Sequence, residues 1–332
     1  MSKPKVFVRE ATGLVRNVGY LDSVLLNIES NAFGISLIFY GVVVSAYPGG
    51  DTLIAAALTV LGVVPVALAY ASMSTAMPRS GGDYIFISRV LHPALGVAAS
   101  LSICFWFWFT TAFFTNWSIT VGAAAILQVV GTVLNVPTAL AAAQAALQLP
   151  YILLFGTLMI AAVSYIAARS NYLTYKALDI MVLLGIIGVS IWIILLGTMD
   201  RSTFVSAFNA YSAKYVNDPD YYHTIIKTAS DAGADASANF SWSATIMMMP
   251  FAAYIFPFLA AQSCVGGEVK DPNKNFYLGL LLNLLISGVG VVLAMWALFR
   301  AAGYDFIVAV TYIYMHGLPY ALPTAPYFTL FA

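Results

Sequence analysis

Charge is what this chain has least of. Asp, Glu, Lys and Arg make up 8% of its 332 residues, against roughly 25% in a water-soluble domain. Between Arg89 and Arg169 none of the four occurs. That scarcity excludes a soluble globular fold, because too few polar groups exist to cover the apolar surface. The 14 basic and 14 acidic residues cancel, which argues against a nucleic-acid or polybasic lipid-docking role. Cysteine is nearly absent too. Cys104 and Cys264 both fall in apolar runs, so neither a disulfide framework nor a thiolate metal site is readable. None of the three histidines, His92, His223 and His316, pairs with another His or a carboxylate at ligand spacing, and no metal or cofactor is expected. Also missing are a phosphate-cradling glycine loop and a nucleophile–base pair, which leaves no enzyme chemistry to assign. The basic N-terminus, MSKPKVFVREATGLVR, has no short apolar region with a cleavage site, so the first span is itself expected to direct insertion.

What the chain has is long apolar runs. Hydrophobic residues are 61% of the total, and mean hydropathy is +0.87. Runs of about 20 apolar residues cross a bilayer as helices. The sequence predicts spans over 22–46, 52–76, 94–130, 148–168, 177–199, 243–265 and 276–299. Residues 306–332 open with FIVAVTYIYMHG, which is too short to cross and reads as a re-entrant or surface helix. The proline-rich LPYALPTAPYFTLFA that follows reads as the opening of an eighth span. The class is an all-α polytopic membrane protein.

Basic residues orient the spans. With a cytoplasmic N-terminus, the inner segments hold Lys3, Lys5, Arg9, Arg16, Arg79, Arg89, Arg169, Lys176, Lys270 and Lys274. The outer segments hold Arg201, Lys214, Lys227 and Arg300, a positive-inside distribution. The one sizeable polar loop, about 200–242, is then external.

One stretch interrupts the first span: NIESNAFG, residues 27–34. A carboxylate at mid-membrane costs a few kcal/mol and persists only with a partner, a proton or a use. Glu29 therefore has two readings, a neutral side chain bonded to a neighbouring helix or a proton- or cation-coupling group. Asp179, one turn into the fifth span, has the same two, since it can also reach the cytoplasmic interface. Asn, Ser and Gly weaken the helical ladder, so the helix is expected to open over residues 30–34, at Ser30, Asn31, Ala32, Phe33 and Gly34. Opened backbone offers free N–H groups to an anion and free C=O groups to a cation, a match for a zwitterion of amino-acid type. In the sixth span, MMMPFAAYIFPFLAAQS, Pro250 and Pro257 predict a kink or break, with Tyr254 and Phe256 beside it. Interruptions in two separate spans of that kind point to a binding site between them. The aromatic run FWFWFTTAFF of span 3 reads as lipid-facing and core side chains.

Two loop motifs carry a family resemblance. MPRSGGDYIFISRVLHPALG, residues 77–96, resembles the Pro-x-Ala/Ser-Gly-Gly-x-Tyr loop after span 2 of the amino acid–polyamine–organocation (APC) superfamily of permeases. GGEVKDPNKN, residues 266–275, is similar to the Glu-Val-Lys-Asn/Asp-Pro-x-Lys-Asn sequence that follows span 6 in these permeases. The resemblance runs from about Leu14 to Lys274, and more faintly to the end. It implies a LeuT-type fold of two inverted five-helix repeats with discontinuous helices 1 and 6. The first repeat would cover about 20–200, and an incomplete second repeat about 243–332, truncated near the start of span 8; the expectation is a fragment of a longer protein. It also implies that backbone at residues 30–34 receives a substrate carboxylate and that Tyr254, Ile255, Phe256 and Pro257 surround the ammonium, with Phe256 near the family's aromatic gate.

The function implied is a cell-membrane secondary transporter for an amino acid or related amine, working by alternating access. Protons are the coupling ion to expect, because Glu29 is available and the sodium-binding part of the fold is not visible; exchange is the other mode. The alternative is a membrane sensor of the same fold that binds the ligand without moving it.

Overall fold

In the computed structural model, residue 16 and residues 18–31 and 40–322 are described. The outer part of the predicted first span, 32–39, and the end of the predicted eighth, 323–332, lie outside them. Among the described residues all regular structure is helical. We number the helices α1 (Tyr20–Ser30), α2 (Thr52–Ala76), α3 (Gly82–Val90), α4 (Pro93–Trp117), α5 (Ala124–Val133), α6 (Pro137–Ala146), α7 (Leu149–Arg169), α8 (Asn171–Thr198), α9 (Arg201–Ser212), α10 (Tyr221–Asp231), α11 (Trp242–Ala253), α12 (Pro272–Ala302) and α13 (Tyr304–His316).

Local chemistry sets the helix starts. Asp51 caps α2 by accepting from the Ile54 N–H at 2.9 Å, and Ser170 and Ser241 cap α8 and α11 in the same way. His92 caps α4 through Nδ1, and Pro93 follows at the first helical position, where its missing N–H costs nothing. Helix α4 runs into α5 through a π-helical turn, Ser118–Ala123, giving one rod of 41 residues, Pro93–Val133. Ser118 and Thr120 bond back to the carbonyls of Phe114 and Asn116 beside that turn.

Five helical stretches among the described residues are long and apolar enough to cross a membrane: α2, α4 with α5, α7, α8 and α12. The chain is a multi-pass membrane protein. Helix α12 is the central rod, packed against α1, α2 and α8, while α11 lies along α2. Where α2 meets this core its buried residues are small, among them Ala55, Ala56, Ala67 and Ala71. Small side chains let helix backbones approach closely, which drives association where lipid competes with every larger apolar contact. By contrast α4, α7 and α8 turn large apolar side chains outward, Leu184, Ile187 and Ile191 among them, as a lipid-facing surface requires.

The predicted spans 52–76, 94–130, 148–168, 177–199 and 276–299 correspond to these long helices within a few residues, six at most at the start of α8. The prediction over 243–265 does not hold as a single helix. Only Trp242–Ala253 is α-helical, and turns and short 3₁₀ segments follow. Pro250 sits inside α11 without ending it. The stop comes before Pro257, whose ring disfavours helical geometry in the residue ahead of it.

The two motifs singled out in the sequence touch each other. Ser80 and Val265 form an antiparallel bridge, and the Gly81 N–H donates to the Cys264 carbonyl at 3.0 Å. The Gly267 N–H donates to Ser80 Oγ at 3.2 Å. A Cβ at Gly266 would lie 2.8 Å from the Arg79 carbonyl oxygen, so this close approach requires glycine. Next to it Val18 pairs in parallel with Val269, tying the entry of α1 to the same segment.

At the opposite end, loop 200–242 is folded. Helix α10 packs on α13, which in turn packs on the 3₁₀ turn Val43–Ala46. Helix α13, 13 residues long, has the short length expected there, and most of it is buried in the protein. Tyr222 is fully buried; its ring stacks on Phe306 at 4.4 Å and its hydroxyl donates to the Ala302 carbonyl at 2.6 Å. Arg201 donates to both Asp305 oxygens at 2.6 Å and to the Tyr222 hydroxyl at 3.1 Å. Nearby, hydrogen bonds from the His223 ring and the Asn209 amide hold the Asp220 carboxyl below its usual range. Tyr222→Phe keeps the ring and strands the Ala302 carbonyl, so we expect a loss of about 1–3 kcal/mol in unfolding measurements in nanodiscs. A change within about 0.5 kcal/mol would show that the hydroxyl carries no weight there.

Candidate functional site

The site begins where α1 stops. Eleven residues of α-helix rise about 16 Å, well short of a hydrocarbon core of roughly 30 Å. Ser30 closes on its own helix, its hydroxyl donating to the Leu26 carbonyl at 2.7 Å. Asn31 forms the C-cap, and its N–H tightens the last turn by donating to Ile28 O at 3.2 Å. Ala32, Phe33 and Gly34, the other residues expected to open, lie outside the described residues. Glu29 occupies the last turn of α1, half-buried.

The counterpart follows α11. From Tyr254 the backbone bonds change from four-residue to three-residue closures, with Ile255 N–H to Ala252 O at 3.1 Å and Phe256 N–H to Ala253 O at 2.9 Å. Ile255 and Phe256 are buried, Tyr254 is half-buried and Pro257 is exposed. The chain continues through turns to the 3₁₀ segments Ala261–Cys264 and Gly266–Glu268. Phe258 stacks on Phe107 of α4 at 5.2 Å with the rings 22° apart. One ring of the aromatic run in span 3 therefore reaches this stretch, while most of its neighbours face outward.

Between these two helix ends lies a layer of buried amides. The Gln262 N–H donates to Asn27 Oδ1 at 3.0 Å, and Gln262 Nε2 donates to the Phe276 carbonyl of α12 at 2.9 Å. Asn31 Nδ2 donates to Asn283 Oδ1 at 2.7 Å, with Ser287 Oγ also in reach at 3.3 Å. Asn283 Nδ2 in turn donates to the Leu259 carbonyl at 3.4 Å. All five residues, Asn27, Asn31, Gln262, Asn283 and Ser287, are at most 1% exposed. Irregular backbone inside a membrane must find partners in protein, and here side-chain amides on α1 and α12 provide them.

Sequence reasoning missed Asn283, Ser287 and Gln262. A signal existed for the first two: they are four residues apart in LLLNLLISG, which places them on one face of an otherwise apolar helix. Nothing marked Gln262. Asp179 sits elsewhere. Its carboxylate accepts from Lys176 Nζ at 2.8 Å, and the same ammonium reaches Asp22 of α1 at 2.8 Å. The structure brings Asn31 into one polar layer with the stretch after α11, leaves the Ser30 hydroxyl bonded within its own helix, and puts Asp179 in an ion-paired cluster between α1 and α8.

A model of the amino acid permease family matches residues 24–320. The chain belongs to the amino acid permease family. A search among curated proteins finds no significant match. The matched range takes in the end of α1, the irregular stretch after α11, the amide layer and the folded loop. For this permease, removing the central amide gives a direct check. Asn283→Leu takes away three links, those with Asn31, Ser287 and the Leu259 carbonyl, and leaves Leu259 O with one donor fewer. Single interhelical bonds in membranes average about 0.6 kcal/mol, so the expected loss is about 1–2 kcal/mol, read as a lower unfolding midpoint in nanodiscs.

Proposed function

We propose that the protein is a secondary transporter that carries an amino acid or related amine across the cell membrane by alternating access, with its N-terminus on the cytoplasmic side. The family match supports amino acid transport. The observation that carries the finer reading is the meeting of α1 with the irregular stretch after α11 at one layer of buried polar side chains. A helix end exposes backbone dipoles, carbonyls at the C-terminus and N–H groups at the N-terminus. Both described ends are C-terminal and favour the ammonium; in this reading the free N–H groups of backbone over Ser30, Asn31, Ala32, Phe33 and Gly34 take the substrate carboxylate. The stretch of Tyr254, Ile255, Phe256 and Pro257 takes the ammonium.

Glu29 is the proposed proton carrier. It lies two residues from the C-cap of α1, and among the described residues no hydrogen bond or ion pair engages its carboxylate. A carboxyl at that depth is costly when charged, so loss of its proton is best matched to arrival of a cationic group. Asp179 is the weaker candidate, because Lys176 already compensates its charge.

The test is uptake into proteoliposomes with each of the twenty radiolabelled L-amino acids, with and without an inward pH gradient. The expected result is accumulation of a subset, driven by the gradient. Glu29→Gln should abolish the gradient-driven accumulation while counterflow of the same amino acid persists. Binding without counterflow in the wild type would make the protein a sensor, and wild-type behaviour of Glu29→Gln would remove Glu29 from the coupling.

A further inference from the structure

Gln262 is fully buried and belongs to no helix that crosses the membrane, yet it joins three separate elements. Its N–H reaches Asn27 on α1, its side-chain Nε2 reaches Phe276 O on α12, and its own 3₁₀ segment continues the irregular stretch after α11. The side chain lies flat on α12 at Gly279. A Cβ there would press on Gln262 Oε1 and stand 3.1 Å from both Cδ and Nε2. Gln262 Oε1 itself has no hydrogen-bond partner among the described residues. A buried acceptor left without a partner is costly, so something other than the satisfaction of that oxygen keeps the amide in place.

We propose that Gln262 is a positioning residue, the strut that fixes the distance between the end of α1 and the irregular stretch of residues 254–268. This rests on the transport reading above. The end of α1 and the irregular stretch after α11 belong to different spans, so nothing within either one alone fixes the distance between them. One amide that grips α1 through its backbone and α12 through its side chain sets both at once. The bare α12 surface at Gly279 is part of the same device, since any larger residue there evicts the strut. Gln262 makes no contact with substrate in this account; it preorganises the backbone groups that do. Preorganisation lowers the cost of binding, so its loss appears in KM more than in kcat.

Two measurements on the full chain in nanodiscs or proteoliposomes test this. The first is hydrogen exchange of the peptide covering residues 254–268 with no ligand present. Gln262→Met, which keeps the length and the backbone N–H but not the side-chain donor, and Gly279→Ala should each speed exchange by about tenfold, the effect of one lost buried bond. Gln262→Ala combined with Gly279→Ala should be no faster than Gln262→Ala alone, because the evicted side chain is gone. The second is uptake of the amino acid that the wild type transports best among the twenty. KM should rise about tenfold with kcat changed less than about threefold.

Unchanged exchange in Gln262→Met, or fully additive effects of the two sites, would overturn the strut. Should Gly279→Ala fail to reach the membrane, Gln262→Met decides by itself. Failure of the wild type to transport any amino acid would defeat the transport reading and leave the exchange result standing, so the two are separable. A fall in kcat at constant KM would also count against positioning.

Discussion

In the hydrocarbon interior of a membrane a peptide N–H or C=O has no water to turn to, and leaving one unpaired costs several kcal/mol. A straight helix meets that demand from within. Wherever the chain leaves the helix at that depth, other groups have to supply partners, and the whole centre of this protein is arranged around doing so. After α11 ends at Ala253, three-residue closures satisfy part of the backbone. Side chains supply more: Asn27 accepts from the Gln262 N–H, and Asn283 donates to the Leu259 carbonyl. Irregular backbone and buried amide are thus one feature seen from two sides.

That arrangement also explains the place of α12. It carries Asn283, Ser287, the Phe276 carbonyl and the bare surface at Gly279, and it is the helix against which α1, α2 and α8 pack. A rod that holds polar partners in register for the end of α1 and for the stretch after α11 has to be long and buried. By contrast α7 and α8 spend most of their surface on lipid and contribute few buried residues. For a member of the amino acid permease family this puts the polar work in the interior and the apolar work at the rim.

The two ends of the bundle are closed by different means. One end uses backbone pairing, with the loop after α2 laid against residues 264–268 and Val18 beside Val269, reinforced by Lys176 between Asp22 and Asp179. The other uses a packed cap, in which Tyr222, Phe306 and the Arg201 pair with Asp305 join the folded loop to the turn between α12 and α13. The amides between these ends are held from both directions.

The long apolar runs were legible because hydropathy over some twenty residues needs no partner to be read; Thr52–Ala76 corresponds residue for residue to the span expected from sequence. The polar intrusion at residues 27–31 was legible for the same reason, since a carboxylate and amides stand out in an apolar run. Where the sixth span stops being helix was only half legible: two prolines marked it, but one is accommodated inside α11 and the other comes four residues after its end. Which partner each intruding group takes was not legible. Asn283 lies 252 residues from Asn31, Gln262 lies 235 from Asn27, and Lys176 lies 154 from Asp22. Hydropathy is a local sum, so composition alone determined that this chain crosses a membrane as helices. Which polar group answers which is a matter of contact between distant segments, and only the packing of α12 against α1 and the stretch after α11 decided it.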